Sequence, residues 1–206
     1  MEKGDNKSEQ YYNNVPTSKA KPRSLNIAKY EKNFSFSTDS GVFSKSKLDD
    51  GSVFLVDTIV AKYQLMGNVL DLGCGYGTIG ILLSKVFEGI ECTMCDVNER
   101  AVDLARKNIA ANGLLNVEAI VSDVVANISK SEFDYVVTNP PIRAGNSVLF
   151  HFFEKSYEKL KPGGLLFLVL RKKQGAETYI KKLGGIFASV EVLDKQKGYV
   201  AVCAKK

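Results

Sequence analysis

Apolar residues recur along this chain with two alternating spacings. Short apolar runs at Val69–Leu72, Ile90–Asp96, Val117–Val121, 134–138 (DYVVT) and Leu165–Leu170 read as strands buried on both faces. Between them lie longer stretches with helical spacing, at Thr78–Phe87, Glu99–Asn112, Ser147–Leu160 and Gly175–Leu183. Ahead of the first strand, Gly51 to Tyr63 sets Val53, Val56, Ile59 and Val60 on one helical face. Gly113 and Gly163 stand where helices should stop. Val190–Leu193 and Tyr199–Ala204 flank Lys197-Gly198 as a closing hairpin. Leu25–Phe36 and Thr38–Phe43 are expected to pair as a small hairpin before the core. The alternation of strands and helices predicts an α/β fold, a parallel sheet with helices on both faces. Residues 1–22 read as a flexible polar tail, and 23–206 as one domain, with 23–50 an N-terminal hairpin extension and 51–206 the core.

Several strand ends carry chemistry. In VLDLGCGYGTIG (Val69–Gly80) a strand runs into Gly73, Gly75 and Gly77 and then into a helix. Glycines allow a tight turn that a ligand can approach closely, and the helix start presents free N–H groups. The Gly-x-Gly-x-Gly spacing fits a dinucleotide fingerprint poorly. Asp71, just before the glycines, would repel a pyrophosphate but attract a cation. S-adenosylmethionine, with its ammonium and sulfonium and no phosphate, suits that acid better. Asp96 ends the next strand, about twenty residues on, where an acid accepts from both ribose hydroxyls. Asp123 follows the third strand, within reach of an adenine amino group. Each acid alone reads as a loop or cap residue; together they mark one crevice at the carboxyl edge of the sheet.

The strand at 134–138 ends in Asn139-Pro140-Pro141-Ile142. Two prolines fix the backbone and remove two N–H donors, so carbonyls are expected to face open space, and the Asn139 amide oxygen adds an acceptor. Such acceptors suit a planar exocyclic amine whose two hydrogens need partners. Asn139 and the Pro140 carbonyl would draw its nitrogen toward tetrahedral geometry, aiming the lone pair at a methyl donor.

On these motifs the chain resembles the class I S-adenosylmethionine-dependent methyltransferases, and more narrowly the RsmC-type small-subunit ribosomal RNA guanine-N2 methyltransferases in a short single-domain form. The resemblance runs through TDSGVFSKSKLDDGS (Thr38–Ser52), VLDLGCGYGTIG, Asp96-Val97-Asn98, TNPPIRAG (Thr138–Gly145) and LKPGG (Leu160–Gly164). It implies a Rossmann-like, mostly parallel seven-stranded sheet with an antiparallel C-terminal strand. It also implies cofactor contacts at Asp71, Gly73, Cys74, Gly75, Gly77, Asp96, Val97, Asn98, Asp123, Val124 and Asn139. Catalysis would fall to Asn139, Pro140, Pro141 and Ile142, with no metal. Ile142 would pack on the base, Phe43 would cover cofactor or base, and Arg143 and Arg171 would contact the substrate. A base inside a duplex cannot reach such a crevice, so the target is single-stranded or flipped out.

Composition sharpens the partner. The 206 residues carry a net charge of +5. Twelve Lys or Arg against five Asp or Glu fall between Glu154 and Lys206, so the basic excess is concentrated there, including Arg171-Lys172-Lys173. A basic end on a near-neutral domain fits ribosomal RNA or a small ribosomal subunit as partner. No run of about eighteen apolar residues suggests a membrane span, and the N-terminus lacks the apolar segment of a secretory signal. With four cysteines and no export signal, the expected place is the cytoplasm, with a monomer as the default state. Cys92 and Cys95, a C-x-x-C inside an apolar strand, read as core residues. His151, the sole histidine, falls inside a helical stretch and reads as a helix residue before a base. Open alternatives are methyl transfer to adenine N6 or to a protein glutamine, whose enzymes usually carry Tyr or Phe where this chain has Ile142, and an RNA-binding relative without catalysis. A nicotinamide oxidoreductase conflicts with the glycine spacing and with Asp71.

Overall fold

Residues 23–39 and 47–206 are described by the computed structural model. A two-stranded antiparallel hairpin, β1 (Arg23–Lys29) and β2 (Lys32–Thr38), precedes helix α1 (Asp50–Lys62). Strands and helices then alternate: β3 (Gly67–Leu72), α2 (Thr78–Val86), β4 (Ile90–Asp96), α3 (Glu99–Ala111), β5 (Val117–Val121) and β6 (Phe133–Thr138). The remainder comprises α4 (Asn146–Lys159), β7 (Leu160–Arg171), α5 (Ala176–Leu183), β8 (Ser189–Gln196) and β9 (Tyr199–Lys205). The seven-stranded sheet has the order β5-β4-β3-β6-β7-β9-β8, with β9 antiparallel to both its neighbours. This is the expected class I methyltransferase architecture.

Pleating sorts the strand side chains into two cores. In β7, Phe167 and Val169 join the core beneath α1, α2 and α3, while Leu166, Leu168 and Leu170 join the core beneath α4 and α5. Cys92 and Cys95 are buried free thiols, one in each core. Among the described residues no helix is long and apolar enough to cross a membrane.

Two expected boundaries change. The hairpin lies wholly within Arg23–Thr38, turning at Tyr30-Glu31, so its second strand is not Thr38–Phe43. Both turn residues have positive φ, 52° and 59°, which Tyr and Glu do not announce in a sequence. A tertiary contact holds the turn: the Tyr30 hydroxyl donates to Asp57 of α1 at 2.5 Å. Gly163 does not stop α4. That helix ends one turn earlier, where Leu160 goes extended and pairs with Phe133. Gly163, at φ +78°, sits instead in a bulge where the β6–β7 register shifts. The 1–22 tail lies outside the described residues.

Side-chain amides of α3 fasten the hairpin. Asn108 and Asn112, one turn apart, act as a surrogate strand for the outer edge of β2. Asn108 accepts from Ser37 N (2.6 Å) and donates to Ser37 O (3.0 Å); Asn112 accepts from Ser35 N (3.1 Å) and donates to Ser35 O (2.7 Å). Asn108 also donates to the Tyr76 carbonyl (2.9 Å), joining the hairpin to the glycine turn.

The chain runs outward from β3 through β4 to β5 and then returns to lay β6 on the other side of β3. That reversal opens a crevice beyond the carboxyl ends of β3 and β6. The Thr138 hydroxyl donates to the Leu72 carbonyl at 2.7 Å, pinning the two ends together. The glycine turn and the Asn139 turn are therefore neighbours in space.

Candidate active site

A cavity of about 320 Å³ occupies this crevice. Gly73, Cys74, Gly75 and Tyr76 form one wall, with Asp96 and Val97 from the end of β4 and Asp123 and Val124 from the end of β5. Asn139, Pro140, Pro141, Ile142 and Arg143 form the opposite wall, and Arg171 and Tyr199 stand beside them. Thirteen of the residues singled out by the sequence thus line one space, brought together from five strand ends.

The first wall is mostly backbone. Gly73 and Gly75 have φ of +73° and +57°, and a Cβ on Gly75 would meet nothing within 4 Å, so a ligand has room against this turn. Asp96 Oδ2 accepts from Gly75 N (2.9 Å) and Oδ1 from Asn98 N (2.9 Å), so the carboxylate holds the turn and the following loop. Burial raises the Asp96 pKa, against those backbone bonds. Burial likewise keeps Cys74 a thiol. Val124 has φ +49°, a left-handed conformation that is uncommon for a β-branched residue, and its carbonyl accepts from Cys95 Sγ at 3.3 Å.

Three expected cofactor residues stand behind this wall. Asp71 is fully buried; its Oδ2 accepts from Gly80 N at 2.8 Å, and its Oδ1 has no partner. Desolvation pushes its pKa up to about 7, with the charge of Asp96 adding to the effect. Gly77 precedes α2 with φ +95°, where a Cβ would approach Ile81 at 2.9 Å. Asn98 caps α3, accepting from Arg100 N and Ala101 N at 3.1 and 3.3 Å. Asp71 and Gly77 shape the glycine turn from outside the cavity, and Asn98 starts the helix that follows Asp96.

At the second wall the backbone departs from expectation. After the prolines the chain enters a 3-10 turn, Ile142–Ala144, whose N–H groups fold back. Ile142 N donates to Pro140 O and Ala144 N to Pro141 O, each at 2.9 Å. The two carbonyls are therefore not empty; Pro140 O keeps one lone pair for another donor. Asn139 has its Nδ2 occupied twice, donating to Asp49 Oδ2 (2.8 Å) and Ser52 Oγ (3.0 Å). Its remaining polar atom, the acceptor Oδ1, is left for the cavity.

Asp49 and Ser52 were not identified from the sequence. Asp49 caps α1, accepting from Ser52 N at 2.8 Å, and an Asp standing just before a helical stretch was the only local signal. Tyr199 was likewise missed. It comes from the closing hairpin, and the Arg171 guanidinium lies 4.6 Å from its ring centroid and hydrogen bonds to its hydroxyl. Arg143 is exposed at the rim. His151 is on the exposed face of α4 and does not line the cavity. Phe43 lies outside the described residues. Among the described residues no cluster of His, Cys, Asp or Glu could hold a metal ion.

Known proteins resemble this chain in sequence and in fold. The chain is 44% identical over 200 residues to the Bacillus subtilis protein YbxB, covering 97% of this chain and 99% of that one. It is 35% identical over 168 residues to the ribosomal RNA small subunit methyltransferase C of Actinobacillus pleuropneumoniae, covering 80% of this chain and 50% of the relative. In structure it resembles the Thermus thermophilus 16S rRNA N2 G1207 methyltransferase (RsmC), solved with AdoMet and guanosine. The TM-score is 0.81 at 28% identity, over 93% of this chain and 52% of that one. The chain spans about half the length of the RsmC proteins it matches. The sequence model of the methyltransferase small domain matches residues 33–202, and the chain belongs to that family.

Proposed function

We propose that this protein transfers the methyl group of S-adenosylmethionine to the exocyclic N2 amine of a guanine in small-subunit ribosomal RNA. The observation that carries this reading is the state of Asn139, with both amide hydrogens occupied and its oxygen left as an acceptor in a cavity that Pro140 also lines. An acceptor held in this orientation matches an amine that offers hydrogens.

S-adenosylmethionine supplies an electrophilic methyl group on a sulfonium. Gly73 and Gly75 would admit it against the main chain, Asp96 would accept from the ribose hydroxyls, and Asp123 and Val124 would meet the adenine edge. Asp71 would act through the turn it braces. On the facing wall, Asn139 Oδ1 and Pro140 O would hold the two amine hydrogens, turning the nitrogen lone pair toward the methyl carbon. Positioning of this kind can supply up to roughly 7–11 kcal/mol of a barrier. The amine proton, acidic once the nitrogen is alkylated, passes to water. Ile142 would pack on the base, and Arg143 and Arg171 would meet phosphates. Substrate would be an unpaired or extruded guanine, in free RNA or in the assembled subunit.

The test is transfer of labelled methyl groups to unmodified small subunits, free ribosomal RNA and total protein, with nucleoside mass spectrometry of the product. N2-methylguanosine is expected, and its loss with Asn139→Ala. N6-methyladenosine or methylated glutamine would replace the substrate while leaving the cofactor site intact.

A further inference from the structure

Asn139 contributes an acceptor only if its amide is held one way round, since a half-turn about its last bond would present hydrogens to the amine. We infer that Asp49, acting with Ser52, is the positioning residue that fixes this orientation; the inference rests on the amine-transfer reading above.

Which atoms are able to donate decides the orientation. An ionised carboxylate only accepts. Asp49 Oδ2 takes Ser52 N (2.8 Å), the Ser52 hydroxyl (3.2 Å) and Asn139 Nδ2 (2.8 Å). The Ser52 hydroxyl has a single hydrogen, and giving it to Asp49 leaves Ser52 Oγ an acceptor toward Asn139, 3.0 Å away. Both atoms facing the Asn139 amide are then acceptors, so its nitrogen must face them and its oxygen must face away. A hydroxyl alone would tolerate either end of the amide. The carboxylate removes that choice, and it does so from a site where Asp49 and Ser52 are 9% and 6% exposed. Polarity set at the first turn of α1 is thereby passed to a residue 90 positions away.

Asp49 also caps α1, so the test must separate the two roles. Ser and Asn are both good caps. A serine oxygen sits one bond nearer the main chain and reaches the cap but not Asn139. An asparagine can present its amide oxygen where Asp49 Oδ2 lies, keeping both cap and lock without the charge. The experiment follows the Asn139 side-chain amide by NMR, assigned by its disappearance in Asn139→Ala, together with kcat and KM for methyl transfer. In the wild-type chain that amide should exchange slowly with solvent.

Asp49→Ser should keep the melting temperature, speed the amide exchange and lower kcat on the order of 10- to 100-fold with KM little changed. Asp49→Asn should restore the slow amide and most of kcat. Unchanged exchange and kcat in Asp49→Ser would overturn the inference, as would an Asp49→Asn variant as impaired in both as Asp49→Ser. The exchange measurement needs no substrate. Absence of methyl transfer by the wild-type chain would thus overturn the functional reading alone, while the amide still decides the lock.

Discussion

At the glycine turn the groups facing the cavity are main-chain atoms, steadied by an acid 21 positions away; at the Asn139 turn the decisive group is one side chain, steadied by a helix 90 positions away. The first wall can be written as a local motif because glycines and a nearby acid dictate its shape wherever the strand and helix form. The second cannot. Asn-Pro-Pro fixes a turn, but which end of the amide faces the cavity depends on the start of a helix 90 positions earlier in the chain. On the proposed function the difference has a chemical meaning: the backbone wall would hold the cofactor, and the oriented side chain would select the amine.

The comparison breaks most sharply at Asn139. Asn139→Ala should lower kcat by about 10²–10³-fold, the scale for removing one group aimed at a transition state. Binding of S-adenosylmethionine, followed by calorimetry, should weaken far less than kcat, because the first wall is untouched and Asn139 is one of many expected cofactor contacts.

Next in size is the buried acid behind the glycine turn. The Asp71 carboxyl titrates near 3.9 in an unfolded chain and at about 7 when folded. The folded state therefore holds the proton more tightly, and this contribution is complete below about pH 4 and lost as pH rises through 7. Asp71→Asn removes the charge that must be buried. In urea unfolding, the stability of this variant relative to wild type should rise between pH 5 and pH 8, on the order of 3 kcal/mol. A constant difference across that range would show that Asp71 does not carry this pH dependence.

Asp96→Ala attacks the first wall from the front. It removes a charged acceptor and the brace on Gly75 N, and should weaken S-adenosylmethionine binding about 10- to 100-fold. With saturating cofactor, kcat should be less affected than in Asn139→Ala; an equal loss would mean that the two walls do not act separately.

The smallest effect is expected at the rim. Arg143→Ala should weaken RNA binding modestly and reduce the salt dependence of log K by roughly 0.7, one contact to single-stranded phosphate. Cofactor affinity should stay the same.

Much of this was legible beforehand, for definable reasons. β4 and β5 fall where the apolar runs place them, because strands buried on both faces leave little latitude in composition. The crevice was legible from Asp96, Asp123 and Asn139, since parallel strands put their carboxyl ends on one edge. The Tyr30-Glu31 turn was not, because its positive φ values rest on a hydroxyl reaching Asp57 rather than on glycine. Gly163 misled for the opposite reason: glycine marks a break in periodicity without saying whether a helix stops or a strand bulges. The Pro140 and Pro141 carbonyls were expected to be open, but the residues following them return N–H groups within one tight turn.

The sequence by itself determined the order of elements, the glycine turn and the set of residues at the strand ends, because each depends on spacing and backbone freedom within a few positions. Tertiary structure alone decided that Asp71 is sealed behind the turn, that Arg171 rests on Tyr199, and that Asp49 and Ser52 grip Asn139. Those outcomes depend on which surfaces α1 and the closing hairpin bring to the cavity. A hydrogen bond across 90 residues leaves no periodicity in the chain, since only the packed sheet brings its two ends within 3 Å.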